Sequence, residues 1–367
     1  MVRMSRVWAG GHSSAVLCAA VSCQSQHMVA TGAEAGELTL WNHDGSPLST
    51  LHLSADDDVT SLAFSPSAPC VLYASHGRAV SVLDCRNLKT PAAELTDVAE
   101  EEINCLSVNE TGRDLAAADD SGAVTLIDLQ LEKVVRTLRK HDNICSSVTF
   151  RPHRPQSLVS AGLDMQVLLW NLPKPRPLWS CSLQDTQEED ARQMFNPPLA
   201  HCVGVASCGN VLACAAEDGC VHLLRVSDDG RLRERETLQA HTQGASQAHF
   251  ISFLSHPYWL ATGGNDGLVA LWDLSQHPLV ENGRKTKGHK RRTKARAKTS
   301  DKNQKRQEEE ASSASSSSET HGNIGPRQCF QHGEKVNWVC PAVLEGKPSL
   351  LVTDQSSCPS VYSLDQL

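Results

Sequence analysis

Aromatic residues make up only 4% of this 367-residue chain, so its core must be built mainly from small aliphatic side chains. The 14 cysteines contain no Cys-x-x-Cys pair, which excludes the spacing of zinc ribbons and thioredoxin-like redox motifs. Several lie inside apolar runs, such as Val16-Leu17-Cys18 and Leu212-Ala213-Cys214, where a free thiol behaves as a small hydrophobe in a reducing compartment. No uninterrupted apolar run reaches the ~18 residues that a membrane-spanning helix needs. The start, Met1 to Arg6, lacks the apolar stretch of a signal peptide. These absences lead to the expectation of a soluble intracellular protein without a membrane anchor.

Charge is unevenly spread. The chain carries a net −8, yet residues 284–310 hold 12 Lys and Arg against 4 Asp and Glu, a local +8 that leaves −16 elsewhere. An acidic body with one basic tether is implied.

The most informative feature is a repeat. Ala30-Thr31-Gly32-Ala33 through Leu40-Trp41-Asn42 is echoed by Ser160-Ala161-Gly162-Leu163-Asp164 through Leu169-Trp170-Asn171. It returns as Ala261-Thr262-Gly263-Gly264-Asn265-Asp266-Gly267 through Leu271-Trp272-Asp273. A histidine precedes each tryptophan: His12 by 29 residues, His141 by 29 and His241 by 31. Positions equivalent to the tryptophan are Trp41, Leu83, Ile127, Trp170, Leu224 and Trp272, in steps of 42, 44, 43, 54 and 48. A seventh unit ends near Tyr362. The long steps have visible causes: an acidic insertion from Gln184 to Asp190, and a Lys/Arg-, Glu- and Ser-rich stretch before Pro326.

A period of about 40–45 residues with strand-like segments signals a β-propeller. The expected fold is all-β: one seven-bladed propeller formed by 1–275 and 327–367, with 276–326 as a disordered basic and serine-rich loop in blade six. That loop contains too little apolar surface to offset its ordering entropy. A spare strand-like piece, Arg3 to Trp8, precedes the first Gly11-His12, and nothing strand-like follows Val361-Tyr362-Ser363-Leu364. The first segment is therefore expected to complete the last blade, removing an exposed sheet edge.

The recurring polar residues read as structural hydrogen-bond tetrads: His141, Ser160, Asp164 and Trp170 in unit four, and His241, Thr262, Asp266 and Trp272 in unit six. A catalytic triad would need one unique nucleophile, whereas this set recurs with the repeat. Unit one has Ala35 at the aspartate position and is expected to be incomplete. Gly263 to Gly267 lacks the Lys and helix of a phosphate loop and reads as a hairpin turn. Cys202, Cys208, Cys214 and Cys220 recur every six residues, but a turn at Gly209-Asn210 would pair residues whose numbers sum to 419. Cys214 would then face Val205, and no two cysteines would meet. No catalytic residue, metal or cofactor is expected.

Two surface motifs remain. The run containing Lys290, Arg291, Arg292, Lys294, Arg296 and Lys298 fits a solvated loop, a nuclear-import signal or a phosphate-backbone contact. It has no aromatics with which to stack bases. Val82-Leu83-Asp84-Cys85-Arg86 puts Arg86 just beyond a blade's third strand, as a turn support or as a bidentate anchor for a partner.

With these motifs in place, the chain resembles the WD-repeat propeller family over nearly its whole length. The resemblance implies a scaffold without enzymatic activity, binding protein partners as a monomeric subunit of a larger complex. Some family members are substrate receptors of cullin-4 RING ubiquitin ligases and dock on the adaptor through Trp-Asp-x-Arg at a strand end. Leu83-Asp84-Cys85-Arg86 keeps the Asp and Arg and has Leu for Trp, so the resemblance implies adaptor contacts by Asp84 and Arg86. The alternative is a nuclear scaffold for chromatin or RNA-processing complexes, touching nucleic acid through the basic loop. Nuclear and cytoplasmic localisation is expected on either reading.

Overall fold

A computed structural model describes residues 2–22, 28–184, 196–227, 229–277, 280 and 325–367. Its strands form seven four-stranded antiparallel sheets. Six are consecutive in sequence, from blade 1 (Val16–Val21, Val29–Ala33, Glu37–Trp41, Pro47–His52) to blade 6 (Ala245–Ile251, Trp259–Gly264, Leu268–Asp273, Gln328–Gln331). Blade 7 combines Trp338–Leu344, Lys347–Thr353 and Ser360–Ser363 with the first strand of the chain, Arg3–Val7. Arg3 pairs with Ser363, Met4 with Tyr362, Arg6 with Val361 and Val7 with Ser360. Innermost strands of neighbouring blades pack side by side, including Val16–Val21 against Trp338–Leu344, which closes the ring. This is the all-β seven-bladed propeller that the repeat predicts.

Composition explains how the blades pack. Second and third strands are covered on both faces, so they read as continuous apolar or small-residue runs such as Leu115 to Ala118 and Leu212 to Ala216. Outer strands such as Lys133–Arg139 face solvent and carry charge. The apolar clusters lie between blades: Leu38 and Leu40 of blade 1 pack with Leu62, Leu72 and Leu83 of blade 2. Leu83 and Ile127 are fully buried, so aliphatic side chains fill the tryptophan's place there.

A second device locks neighbours together. The polar residue near the start of an inner strand donates to a carbonyl in, or just before, the next blade's inner strand. Asn104 Nδ2 reaches the Cys145 carbonyl at 3.4 Å, Ser146 Oγ that of Ala200 at 2.6 Å, Ser246 Oγ that of Val336 at 2.7 Å, and Asn337 Nδ2 that of Val16 at 3.1 Å. Thr60 makes the same contact with Ile103. One step further along, Ser61, Ser107 and Ser147 accept amide N–H groups of Leu106, Phe150 and Val203 at 2.9, 3.1 and 3.1 Å. Such buried pairs resist register slips, because a shift would orphan both partners.

One expected register is corrected. Val205 pairs with Leu212 and Val203 with Cys214, a sum of 417 rather than 419, because the turn runs from Ala206 to Val211. Cys202 faces Ala215, so the cysteines still do not meet. The acidic insertion beyond Gln184, most of 276–326, and with it Lys290, Arg291, Arg292, Lys294, Arg296 and Lys298 lie outside the described residues.

Candidate functional site

Strands alternate in direction, so each blade offers two rims. The third strand begins at the hairpin turn on one rim and ends on the other. On the hairpin rim sit the polar tetrads. His241 Nε2 lies 3.0 Å from Thr262 Oγ1, Nδ1 lies 3.1 Å from Asp266 Oδ1, and Trp272 Nε1–H donates to Thr262 Oγ1 at 3.2 Å. In blade 4, His141 Nε2 lies 2.8 Å from Ser160 Oγ and Nδ1 lies 2.9 Å from Asp164, while Trp170 Nε1–H donates to Ser160 at 2.9 Å. Burial pushes the Asp164 and Asp266 carboxyls up, but hydrogen bonds from the histidine and backbone amides outweigh it and hold both below the usual carboxylate range. Burial lowers His241, which stays neutral with one ring nitrogen left to accept the hydroxyl proton. Every polar group in these chains is occupied by its neighbour, so they brace the blade.

Sequence reasoning missed two variants. In blade 1 the carboxylate comes from Glu37: His12 Nε2 lies 2.6 Å from Thr31 Oγ1, Trp41 Nε1–H donates to Thr31 at 2.7 Å, and Glu37 Oε2 lies 3.4 Å from His12 Nδ1. Glu37 hydrogen-bonds Ser13 and leaves His12 Nδ1 without a hydrogen-bond partner, so the unit is incomplete, as Ala35 at the aspartate position leads one to expect. In blade 7, Tyr362 hydroxyl lies 2.7 Å from His332 Nδ1, and His332 Nε2 lies 2.8 Å from Asp354 Oδ2. No tryptophan marks that unit; Tyr362 stands in its place, 30 residues after His332.

On the opposite rim, several third strands end in Asp or Asn, whose side-chain oxygen accepts a backbone N–H two residues on. Asp84 accepts from Arg86 at 3.0 Å, Asp128 from Gln130 at 2.9 Å, Asp273 from Ser275 at 2.9 Å and Asn42 from Asp44 at 3.2 Å. This Asx turn explains Asp84 as part of the repeat. It does not explain Arg86, which stands where the other turns carry Asp44, Gln130 and Ser275. Arg86 Nε donates to Asp84 Oδ1 at 2.9 Å and Nη2 to Oδ2 at 2.6 Å, a forked pair within a single turn. Hydrogen bonds from the Arg86 side chain and backbone hold the Asp84 carboxyl down at about 2. The Arg86 side chain remains 73% exposed. The result is a positioned guanidinium projecting from the exit rim of blade 2. The insertion of blade 6 follows Asp273 on that same rim.

The inner strands also enclose an axial cavity of about 450 Å³, lined by residues such as Thr60, Cys105, Ser147, Cys202, His249 and Trp338. His249 Nε2 lies 2.7 Å from Gln247 Oε1, and its ring packs on Trp338 with centroids 5.6 Å apart. Burial brings its pKa down to about 4 and pushes the Cys202 thiol up to about 12, so both groups are neutral near pH 7. Among the described residues no three or more His, Cys, Asp or Glu converge to hold a metal ion. No helix of the described residues is long and apolar enough to cross a membrane.

The WD domain, G-beta repeat profile matches residues 132–171 and 232–273. Each match runs from the outer strand of one blade through three strands of the next, the offset that lets the first segment of a chain finish the last blade. The chain is 26% identical to the WD repeat-containing protein 53 homolog of Dictyostelium discoideum over 72% of its own length and 77% of that protein. It is 23% identical to the E3 ubiquitin-protein ligase COP1 of Pisum sativum over 67% of the chain and 33% of that protein. Identity to the Periodic tryptophan protein 2 homolog of Dictyostelium discoideum is 22%, over 74% of the chain and 30% of that protein. The last two are much longer than the chain. Seven closed four-stranded blades, two profile matches and a relative sharing most of its length show a β-propeller built from WD repeats.

Proposed function

We propose that this protein is a substrate-receptor subunit of a cullin-4 RING ubiquitin ligase, docked on the ligase adaptor partly through Arg86. As a WD-repeat propeller it offers surface for protein partners, and the question is which part of that surface is specialised. The carrying observation is Arg86 itself: an exposed guanidinium, pre-set by Asp84, at a strand exit where the corresponding turns carry no arginine. Arginine is enriched in interface hot spots because its planar fork can satisfy a carboxylate or two carbonyls at once. Leu83 in place of tryptophan keeps the apolar side chain buried and leaves the turn geometry to Asp84. The name of the relative COP1 is that of a ubiquitin ligase, which supports the same direction.

The test is recovery of the cullin-4 adaptor with tagged protein carrying Arg86→Ala or Arg86→Glu. Loss in the alanine variant, deeper loss in the glutamate variant and unchanged thermal stability are expected. Equal adaptor recovery from all three proteins would remove Arg86 from the account.

A second reading rests on the basic run around Lys290 to Lys298: a nuclear scaffold that touches nucleic acid phosphates. Its charge density favours nuclear import or backbone contact, and both readings place the protein in nucleus and cytoplasm. Deleting 284–306 separates them, since nuclear retention would fall with the second reading while adaptor recovery would persist with the first.

A further inference from the structure

Cys70 and Cys85 flank the middle hairpin of blade 2, and the ladder between them ends with Val71 opposite Asp84. Extending that register by one rung sets Cys70 opposite Cys85, and the Cys85 amide donates to the Cys70 carbonyl at 2.8 Å. Hydrogen-bonded, directly opposed residues of an antiparallel pair have Cα atoms about 5.5 Å apart. Disulfides most often span about 5.5–6 Å between Cα atoms. The extended register puts the two side chains on one face: Leu72 and Leu83, two positions inward, are both buried toward blade 1, and Cys85 packs on the same cluster.

Strand cysteines elsewhere stand opposite residues other than cysteine. Cys18 stands opposite Gly32, Cys105 opposite Ala118, Cys202 opposite Ala215 and Cys340 opposite Leu351. Cys70 and Cys85 are also partly exposed, whereas Cys18, Cys145, Cys202 and Cys214 are buried.

We propose that Cys70 and Cys85 form a reversible dithiol–disulfide pair, closed by hydrogen peroxide, at the turn that presents Arg86. Burial first, then the nearby Cys70 and Asp84, push the Cys85 thiol up to about 12, so Cys85 is the resolving partner and Cys70 reacts first. The Cys70 sulfur attacks a peroxide oxygen. An S–O bond forms, the O–O bond breaks, and the departing oxygen takes the Cys70 proton, leaving a sulfenic acid and water. The Cys85 sulfur then attacks the sulfenic sulfur. The S–S bond forms, the S–O bond breaks, and hydroxide leaves with the Cys85 proton as a second water. Two electrons have passed from the two thiols to the peroxide.

Cys85 lies between Asp84 and Arg86, and the Arg86 charge reaches Cys70. Closing the bond ties the middle residue of the docking turn to the neighbouring strand and restricts the backbone that carries Arg86. This consequence rests on the docking reading; the disulfide does not.

The experiment treats reduced full-length protein with hydrogen peroxide, alkylates the remaining thiols, digests without reductant and maps peptides by mass spectrometry. The expected product joins the Cys70 and Cys85 peptides, two hydrogens lighter than their sum. It disappears on reduction and is absent from Cys70→Ser and from Cys85→Ser. If both thiols stay fully alkylatable at a dose that oxidises the exposed Cys329, or if Cys70 links to a different cysteine, the pair is overturned. Adaptor recovery is then compared between reduced protein, oxidised protein and oxidised Cys85→Ser. A link that forms while recovery stays equal across the three leaves the redox pair standing and overturns its coupling to docking.

Discussion

Met4, four residues into the chain, stands opposite Tyr362 in the ladder of the last blade. Ring closure therefore depends on two segments that meet only after almost all of the chain has been made. Just beyond the strand, Trp8 is 2% exposed and packs on Trp41 of blade 1 with ring centroids 5.5 Å apart. Deleting residues 2–8 would leave Ser360–Ser363 as an open edge and uncover that tryptophan contact. We expect a lower melting temperature and concentration-dependent aggregation by light scattering. Trp8→Ala alone should cost roughly 3–5 kcal/mol. A deletion variant as stable and monomeric as the intact chain would contradict this picture of closure.

The tetrad of blade 6 has its own consequence. Thr262→Val keeps shape but removes the hydroxyl that accepts from Trp272 and faces His241, orphaning two buried groups at once. Each unsatisfied buried group costs about 1–3 kcal/mol, so a loss of roughly 2–6 kcal/mol is expected by urea denaturation. Thr262→Ser, which copies Ser160 of blade 4, should recover most of it. A valine variant within ~0.5 kcal/mol of the parent would show that the hydroxyl is dispensable.

Much of this architecture is legible in the chain because a repeat declares itself through its largest and most polar residues. Trp41, Trp170 and Trp272 with their upstream histidines fixed the period, and the period fixed the number of blades. What stayed hidden was carried by residues whose meaning depends on distance in space. Glu37 looks like an ordinary strand residue until His12 is placed beside it. Asn104, Ser146 and Asn337 each look like a polar interruption in an apolar strand, and their partners are carbonyls roughly 40 or more residues away, or across the ring closure. The register of Cys202 to Cys214 slipped by two because the turn residues alone did not say how many would be spent on the bend. At Arg86 only the position was legible; its clamp on Asp84 and its neighbour Cys70 came from the fold.

Acid should loosen the ring from the inside. Burial lowers His249 from an ordinary 6.5 to about 4, so the native state holds it neutral while the unfolded chain takes up a proton. The unfolded state binds more protons between those values, and stability falls as pH drops from about 6.5 toward about 4. His249→Phe keeps an aromatic ring against Trp338 and removes the titration. Urea midpoints at about pH 7.5 and about pH 5 should differ less in the phenylalanine variant than in the parent. Equal differences would assign the acid sensitivity to other groups.

The last prediction concerns how Arg86 is held. Asp84→Asn leaves an amide oxygen to accept the Arg86 backbone N–H, as Asn42 does for Asp44 in blade 1. The turn therefore survives, while the forked pairing between the guanidinium and both carboxylate oxygens is lost. Both groups sit at the surface, so the melting temperature should stay where it is. What changes is the freedom of Arg86 before it meets a partner: a side chain released from its clamp must be ordered on binding. If the guanidinium is the anchor, affinity for the cullin-4 adaptor should drop about two- to fivefold in Asp84→Asn, far less than in Arg86→Glu, where the charge is reversed. The comparison is made by calorimetric titration at two salt concentrations. An asparagine variant that binds as weakly as the glutamate variant would mean that Asp84 touches the adaptor itself, and that the carboxylate rather than the arginine carries the contact.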